Sequence, residues 1–222
     1  MGGGHGFRVL TLLLVVSGWG CAGGGGGTRA GTVSGGVAST TAVAVSSSID
    51  KAITGFGGGA GVNPDFANLE TQVRDNPDGL RAAALAHLAD SNDLVHYAAV
   101  YALARTAKST GESISALQGL LTSPRVNDRL LAAGALIFRG DRTAIPVLID
   151  LLGSPDSMAF RDPPQTGSEF AAEQLLRFTS EDFGLRAVTD AAGAAQAKPL
   201  WKQWWDAHGS ALVWDATITE FH

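Results

Sequence analysis

Ile114-Ser115-Ala116-Leu117-Gln118-Gly119-Leu120-Leu121-Thr122-Ser123-Pro124 is followed by Ile145-Pro146-Val147-Leu148-Ile149-Asp150-Leu151-Leu152-Gly153-Ser154-Pro155, the same pattern written twice. Six positions (Ile, Leu, Leu, Leu, Ser, Pro) recur at a spacing of 31 residues. An internal repeat of this period signals supersecondary units stacked side by side. The stretches before the two copies also correspond. Ala98, Ala99, Ala102 and Leu103 align with Leu131, Ala132, Ala135 and Leu136 at a spacing of 33. The two-residue difference falls in the connecting loops, Ser109–Glu112 against Gly140–Arg142. A third, diverged copy puts Ala171, Ala172, Leu175 and Leu176 on the same face.

Working outward, each unit reads helix, turn, helix, then Ser-Pro before the next helix. Val95, Ala98, Ala99, Ala102 and Leu103 fall at i, i+3, i+4, i+7 and i+8, one face of a helix with Asn92 or Asp93 as its N-cap. Two short amphipathic helices cannot bury their apolar faces alone, and stacked neighbours supply the missing core. Alanine at contact positions lets helices approach closely, while Leu and Ile fill the space between. Proline after the second helix cannot continue it, which sets the turn. Pro146 falls in the first turn of its helix, where proline is accommodated.

The pattern resembles HEAT repeats, in particular the short bacterial type also called phycobilisome-lyase HEAT-like repeats, over roughly Leu69 to Trp205. The resemblance implies an all-α chain, an α-α superhelix of the armadillo/HEAT-like solenoid kind with about three to four helical repeats. Two departures stand out. Asp128 occupies the position where the earlier copy has apolar Val95, and an insertion, Met158–Gly167, interrupts the period. The C-terminal part, Arg177–Gly184 and then Trp201-Lys202-Gln203-Trp204-Trp205, is similar to the ending of many bacterial HEAT-repeat proteins. There a Thr-Gly-x-Asp-Phe-Gly turn precedes a Trp-x-x-Trp-Trp helix, and Ser180 replaces the glycine of that turn. Trp201, Trp204 and Trp205 share one helical face and read as an aromatic cap over the last apolar surface of the stack. A ligand or partner platform is the alternative.

The N-terminus reads as an address. Met1–Arg8 carries one Arg and no acid, Val9–Val16 is a compact apolar run, and small and mixed residues lead to Cys21. That is the layout of a secretory signal over residues 1–20. Gly18-Trp19-Gly20-Cys21 resembles the lipobox of bacterial lipoproteins, with Gly20 matching its small residue. The resemblance implies a diacylglyceryl group on Cys21, which becomes the mature N-terminus. Ordinary cleavage nearby is the alternative. Two or more acyl chains, at roughly 0.8 kcal/mol per buried methylene, would hold the chain stably on a membrane. Residues 21–62, rich in Gly, Ser, Thr, Ala and Val and including Gly23–Gly27, read as a flexible tether with an r.m.s. reach of roughly 30–40 Å. Residues 63–208 form the repeat domain and 209–222 a tail whose apolar residues are placed to dock on the stack.

Composition narrows the function. Across 222 residues the net charge is −5, which gives no electrostatic footprint for nucleic acid. A single cysteine closes no internal disulfide and builds no thiolate zinc site. His87, His96 and His208 have no partner at metal-ligand spacing, and no metal or other cofactor is expected. Glu112, Asp141, Asp156 and Asp182 fall at loops or helix starts, where capping accounts for them. No Gly-x-Ser-x-Gly elbow, Walker loop or His-Glu-x-x-His element occurs, so no catalytic residue is assigned. In HEAT-type solenoids the second helices line the concave surface, which nominates Ser115, Gln118 and Asp150 as a partner surface. The expectation is a non-catalytic interaction scaffold, exported, anchored at the periplasmic or cell-surface side of a bacterial membrane, and bound to another envelope protein. The lyase branch of the resemblance implies bilin attachment, an alternative that an exported chain opposes. A structural accessory subunit of an envelope complex is a further alternative.

Overall fold

The computed structural model describes residues 47–56, 66–108, 111–158, 165–187 and 190–222. Cys21, the signal segment and the rest of the tether, 21–46 and 57–62, lie outside the described residues. A first helix, α1, spans residues 47–54. Four helix pairs follow: α2 (Phe66–Asp75) with α3 (Pro77–His87), α4 (Asp93–Thr106) with α5 (Glu112–Leu120), α6 (Val126–Ile137) with α7 (Ala144–Leu151), and α8 (Gly167–Phe178) with α9 (Ala191–His208). A short 3-10 turn, Leu185–Ala187, precedes α9, and a two-stranded hairpin, β1 (Trp214–Asp215) and β2 (Glu220–Phe221), ends the chain. The repeat read from the sequence is therefore an all-α, HEAT-like stack.

Local chemistry starts and stops the helices. The Asn92 side chain accepts from the Leu94 and Val95 amides at 3.0 and 3.4 Å, capping α4. Thr166 and Glu169 form a reciprocal capping box on α8. Asp190 caps α9 through the Gly193 amide at 2.7 Å. Gly111 enters α5 at φ +88°, a conformation that favours glycine. Pro77 opens α3 and Pro146 lies in the first turn of α7, where neither removes a helical hydrogen bond.

The first helices form a continuous row, α4 packing on α2 and α6 and α6 on α8, while among the second helices α3 packs on α5 and α7 on α9. Leu117 and Leu148, equivalent in the two copies, are both fully buried, as are Ala98, Ala99, Ala132 and Ala133. Gly134 lets α6 and α8 approach closely, because a Cβ there would stand 2.7 Å from Phe170 Cζ.

One segment differs from the sequence expectation, and the tail takes a form that the sequence reading does not specify. Within the stretch read as tether, residues 47–56 fold against the stack. Ile49, Ala52, Ile53 and Phe56, at i, i+3, i+4 and i+7, are all buried. A helix this short is marginal by itself, so its packing partners supply the stability. The apolar period was masked by the surrounding Gly, Ser and Thr. The tail forms the hairpin, with Trp214 opposite Phe221 on the inner face and Phe221 buried. Arg142, before α7, donates to the Ser210 and Leu212 carbonyls at 2.7 and 3.4 Å and holds the tail in place. Ser180 adopts φ +55° where the resembling turn has glycine, and its hydroxyl donates to Glu220 of β2.

Candidate interaction surface

Ser115 and Gln118 are exposed on α5 and Asp150 is exposed on α7. Each second helix is tied to the following unit by an exposed polar rung. On α3, Asp78 pairs with Lys108 at 3.0 Å. On α5, Gln118 donates to Asp141 at 2.7 Å. On α7, the Asp150 carbonyl accepts from the Lys198 ammonium at 2.7 Å. Exposed pairs of this kind add little to stability, because solvent screens them. Ser115 and Gln118 lie on α5 and Asp150 on α7, all on second helices. Ser115 is the residue of the three without a rung to the next unit; its hydroxyl reaches back to the Gly111 carbonyl at 3.5 Å.

The three C-terminal tryptophans have separate surroundings. Trp201 is fully buried, edge-on to Phe183 at 5.0 Å and to Trp204 at 5.5 Å between ring centroids. Its indole N–H has no hydrogen-bond partner among the described residues. Trp205 is half-buried and packs over Gly209, where a Cβ would stand 2.6 Å from the indole. Trp204, also half-buried, lines an open groove of ≈ 250 Å³ with Glu181, His208, Leu212, Phe221 and His222.

Between the first helices lies a buried polar cluster. His96 on α4 directs Nδ1 to the Leu88 carbonyl at 2.8 Å and Nε2 to both Asp128 carboxylate oxygens at 3.0 Å. Ser123 donates to Asp128 Oδ2 at 2.7 Å. The Leu88 carbonyl can only accept, so Nδ1 carries a hydrogen, and Nε2 faces the carboxyl group. The serine hydroxyl is bonded to the carboxylate and not to the imidazole. That order cannot activate a serine nucleophile, which needs its base directly on the hydroxyl. It does join α4 to α6 across a repeat boundary. The apolar-to-acid change at Asp128 is thus half of an inter-repeat pair with His96. Both residues stood out in the sequence; their separation by 32 positions, one repeat period, was the unused signal that they meet.

Two arginines close the C-terminal end of α4. Arg139 donates to the Ala104 and Ala107 carbonyls at 3.1 and 3.0 Å, and Arg81 to the Thr106 carbonyl at 2.7 Å. A cation at this end satisfies free carbonyls and complements the helix dipole. Burial, and then the charge of Arg105, lower Arg139 from the ordinary arginine value. Burial, with Glu70 accepting the phenolic hydrogen at 2.6 Å, raises the Tyr101 hydroxyl well above its usual range. His87, at the end of α3, lies between Asp50 of α1 at 2.9 Å and Asp90 at 3.4 Å. The Asp50 hydrogen bond raises the imidazole above its ordinary value, against a smaller lowering by burial. Among the described residues no group of three His, Cys, Asp or Glu side chains could hold a metal ion, and no helix is long and apolar enough to cross a membrane.

The family model for HEAT repeats matches residues 81–162, from within α3 to just beyond α7. That stretch contains both copies of the repeat and the His96–Asp128 pair, and it is similar to HEAT repeats in sequence as the whole stack is in architecture. No curated protein and no solved structure matches the chain.

Proposed function

We propose that the chain is a protein-interaction scaffold, non-catalytic, exported and held at a bacterial membrane through lipid on Cys21, with another envelope protein as its partner. The observation that supports it is the division of polar side chains. Buried His96 and Asp128 and half-buried Arg139 join one helix to the next, while the second helices present Ser115, Gln118 and Asp150 outward. A stack whose His96 and Asp128 are bonded to each other across a repeat boundary is suited to presenting a surface. The similarity to HEAT repeats over residues 81–162 agrees with that role.

The test is a crosslinked pull-down of the full chain from its own membranes, with mass spectrometry of the N-terminal peptide. A stoichiometric envelope protein in the eluate and a diacylglyceryl mass on Cys21 are expected. Cys21→Ser should move the chain to the soluble fraction. Recovery of the bait alone, unlipidated and soluble, would contradict the reading.

A further inference from the structure

The first helix sits on the stack as a bound peptide would. Its anchors, Ile49, Ala52, Ile53 and Phe56, have the i, i+3, i+4, i+7 spacing by which an amphipathic helix fills an apolar groove. Ile49 lies against Gly79 of α3, where a Cβ would come within 2.7 Å of its Cδ1. Phe56 stands edge-on to Phe66 of α2 at 4.8 Å and stacks on Tyr97 of α4 at 6.1 Å. The seat is therefore built by three helices, with glycine at one end and aromatic rings at the other. A polar contact also orients the helix: Asp50, the residue after the first anchor, meets His87 at 2.9 Å. The other face, with Ser47, Ser48, Lys51 and Thr54, is exposed. Residues 57–65, which join α1 to α2, include Gly57, Gly58, Gly59 and Gly61.

We propose that the seat of α1 is a helix-binding groove that α1 occupies in cis, and that the same groove receives an amphipathic helix of a partner when α1 leaves. The partner chemistry is read from the occupant: apolar residues at i, i+3, i+4 and i+7, with a carboxylate at i+1 to meet His87. A short connection gives α1 a high effective concentration, so the groove is filled until a partner helix competes. The inference concerns residues other than Ser115, Gln118 and Asp150 and does not depend on lipid at Cys21.

Two measurements on the full chain decide it. In hydrogen exchange, the amides of α1 should open in an event at least tenfold more populated than the opening of α4. Exchange of α1 and α4 in one common event would overturn the proposal. In the second, a fluorescein-labelled peptide of residues 47–56 is titrated against the unaltered chain and against two variants. Ile53→Asp should release α1, leave α4 protection native, and bind the peptide at least tenfold more tightly than the unaltered chain does. Gly79→Leu should also release α1, but its side chain fills the Ile49 seat, so the peptide should not bind it. Equal peptide binding to all three chains, or to none, would overturn the groove. Loss of α4 protection in Ile53→Asp would also overturn it, by making α1 an integral part of the stack.

Discussion

His87 is the residue at which the docking of α1 becomes sensitive to acid. Its imidazole is raised above the ordinary value of about 6.5, chiefly by the Asp50 hydrogen bond. A raised folded value means that the pairing stabilises the protein fully below about pH 6.5 and is lost as pH rises through the folded value. Asp50→Asn should therefore cost roughly a few tenths of a kcal/mol at pH 5.5 and nothing at pH 8.5, read as the difference in unfolding midpoint between the two chains. A penalty that grows with pH would contradict the assignment. Asp128 is a different case because it is buried. Removing one partner leaves the other buried without compensation, so Asp128→Ala should destabilise by about 3–5 kcal/mol in urea unfolding. The double change His96→Leu with Asp128→Leu should cost less than the single one, since it removes both polar partners at once. Equal or additive losses would mean that the two side chains do not act as a pair.

At the scale of elements, the hairpin gives the clearest contrast between two glycines. Gly140 has φ +76° and faces the Trp214 ring, with 2.4 Å available to a Cβ, whereas Gly111 has φ +88° and open space around it. Gly140→Ala should displace Trp214, shift the tryptophan emission to the red and lower stability by more than Gly111→Ala. The latter carries only the backbone penalty, roughly 1–2 kcal/mol. Similar losses with unchanged emission would show that the hairpin does not rest on Gly140. The helices from α4 to α7 were legible because their apolar period and proline stops repeat at 31 residues, so each copy checked the other. The Asn92 cap was legible for the same local reason. By contrast, α1 stands outside the repeat and its four anchors are spaced among Gly, Ser and Thr, so composition spoke against it. The hairpin depends on Trp214 meeting Phe178 and Gly140, contacts that no local pattern carries. The second-helix residues were found exposed as expected, but their rungs to Asp141 and Lys198 depend on where the next unit falls. The splitting of the tryptophans into a buried Trp201 and a groove-lining Trp204 depends on Phe183 and the tail.

For the whole molecule, the two helix rows divide the work of the stack. The first row carries the buried bonds that hold repeats in register, His96 to Asp128 and Arg139 to the end of α4. The second row carries weak exposed rungs, which leave its outward residues free of any large structural cost when changed. Ser115 and Glu173 sample these two rows, on α5 and α8, and both are exposed. Replacing each in turn by a photo-crosslinking amino acid in the full chain, and irradiating cells of the native host, tests the scaffold reading most directly. A discrete adduct with one envelope protein from position 115, and none from position 173, is the result the account predicts. No adduct from position 115, or the same adducts from both rows, would contradict it.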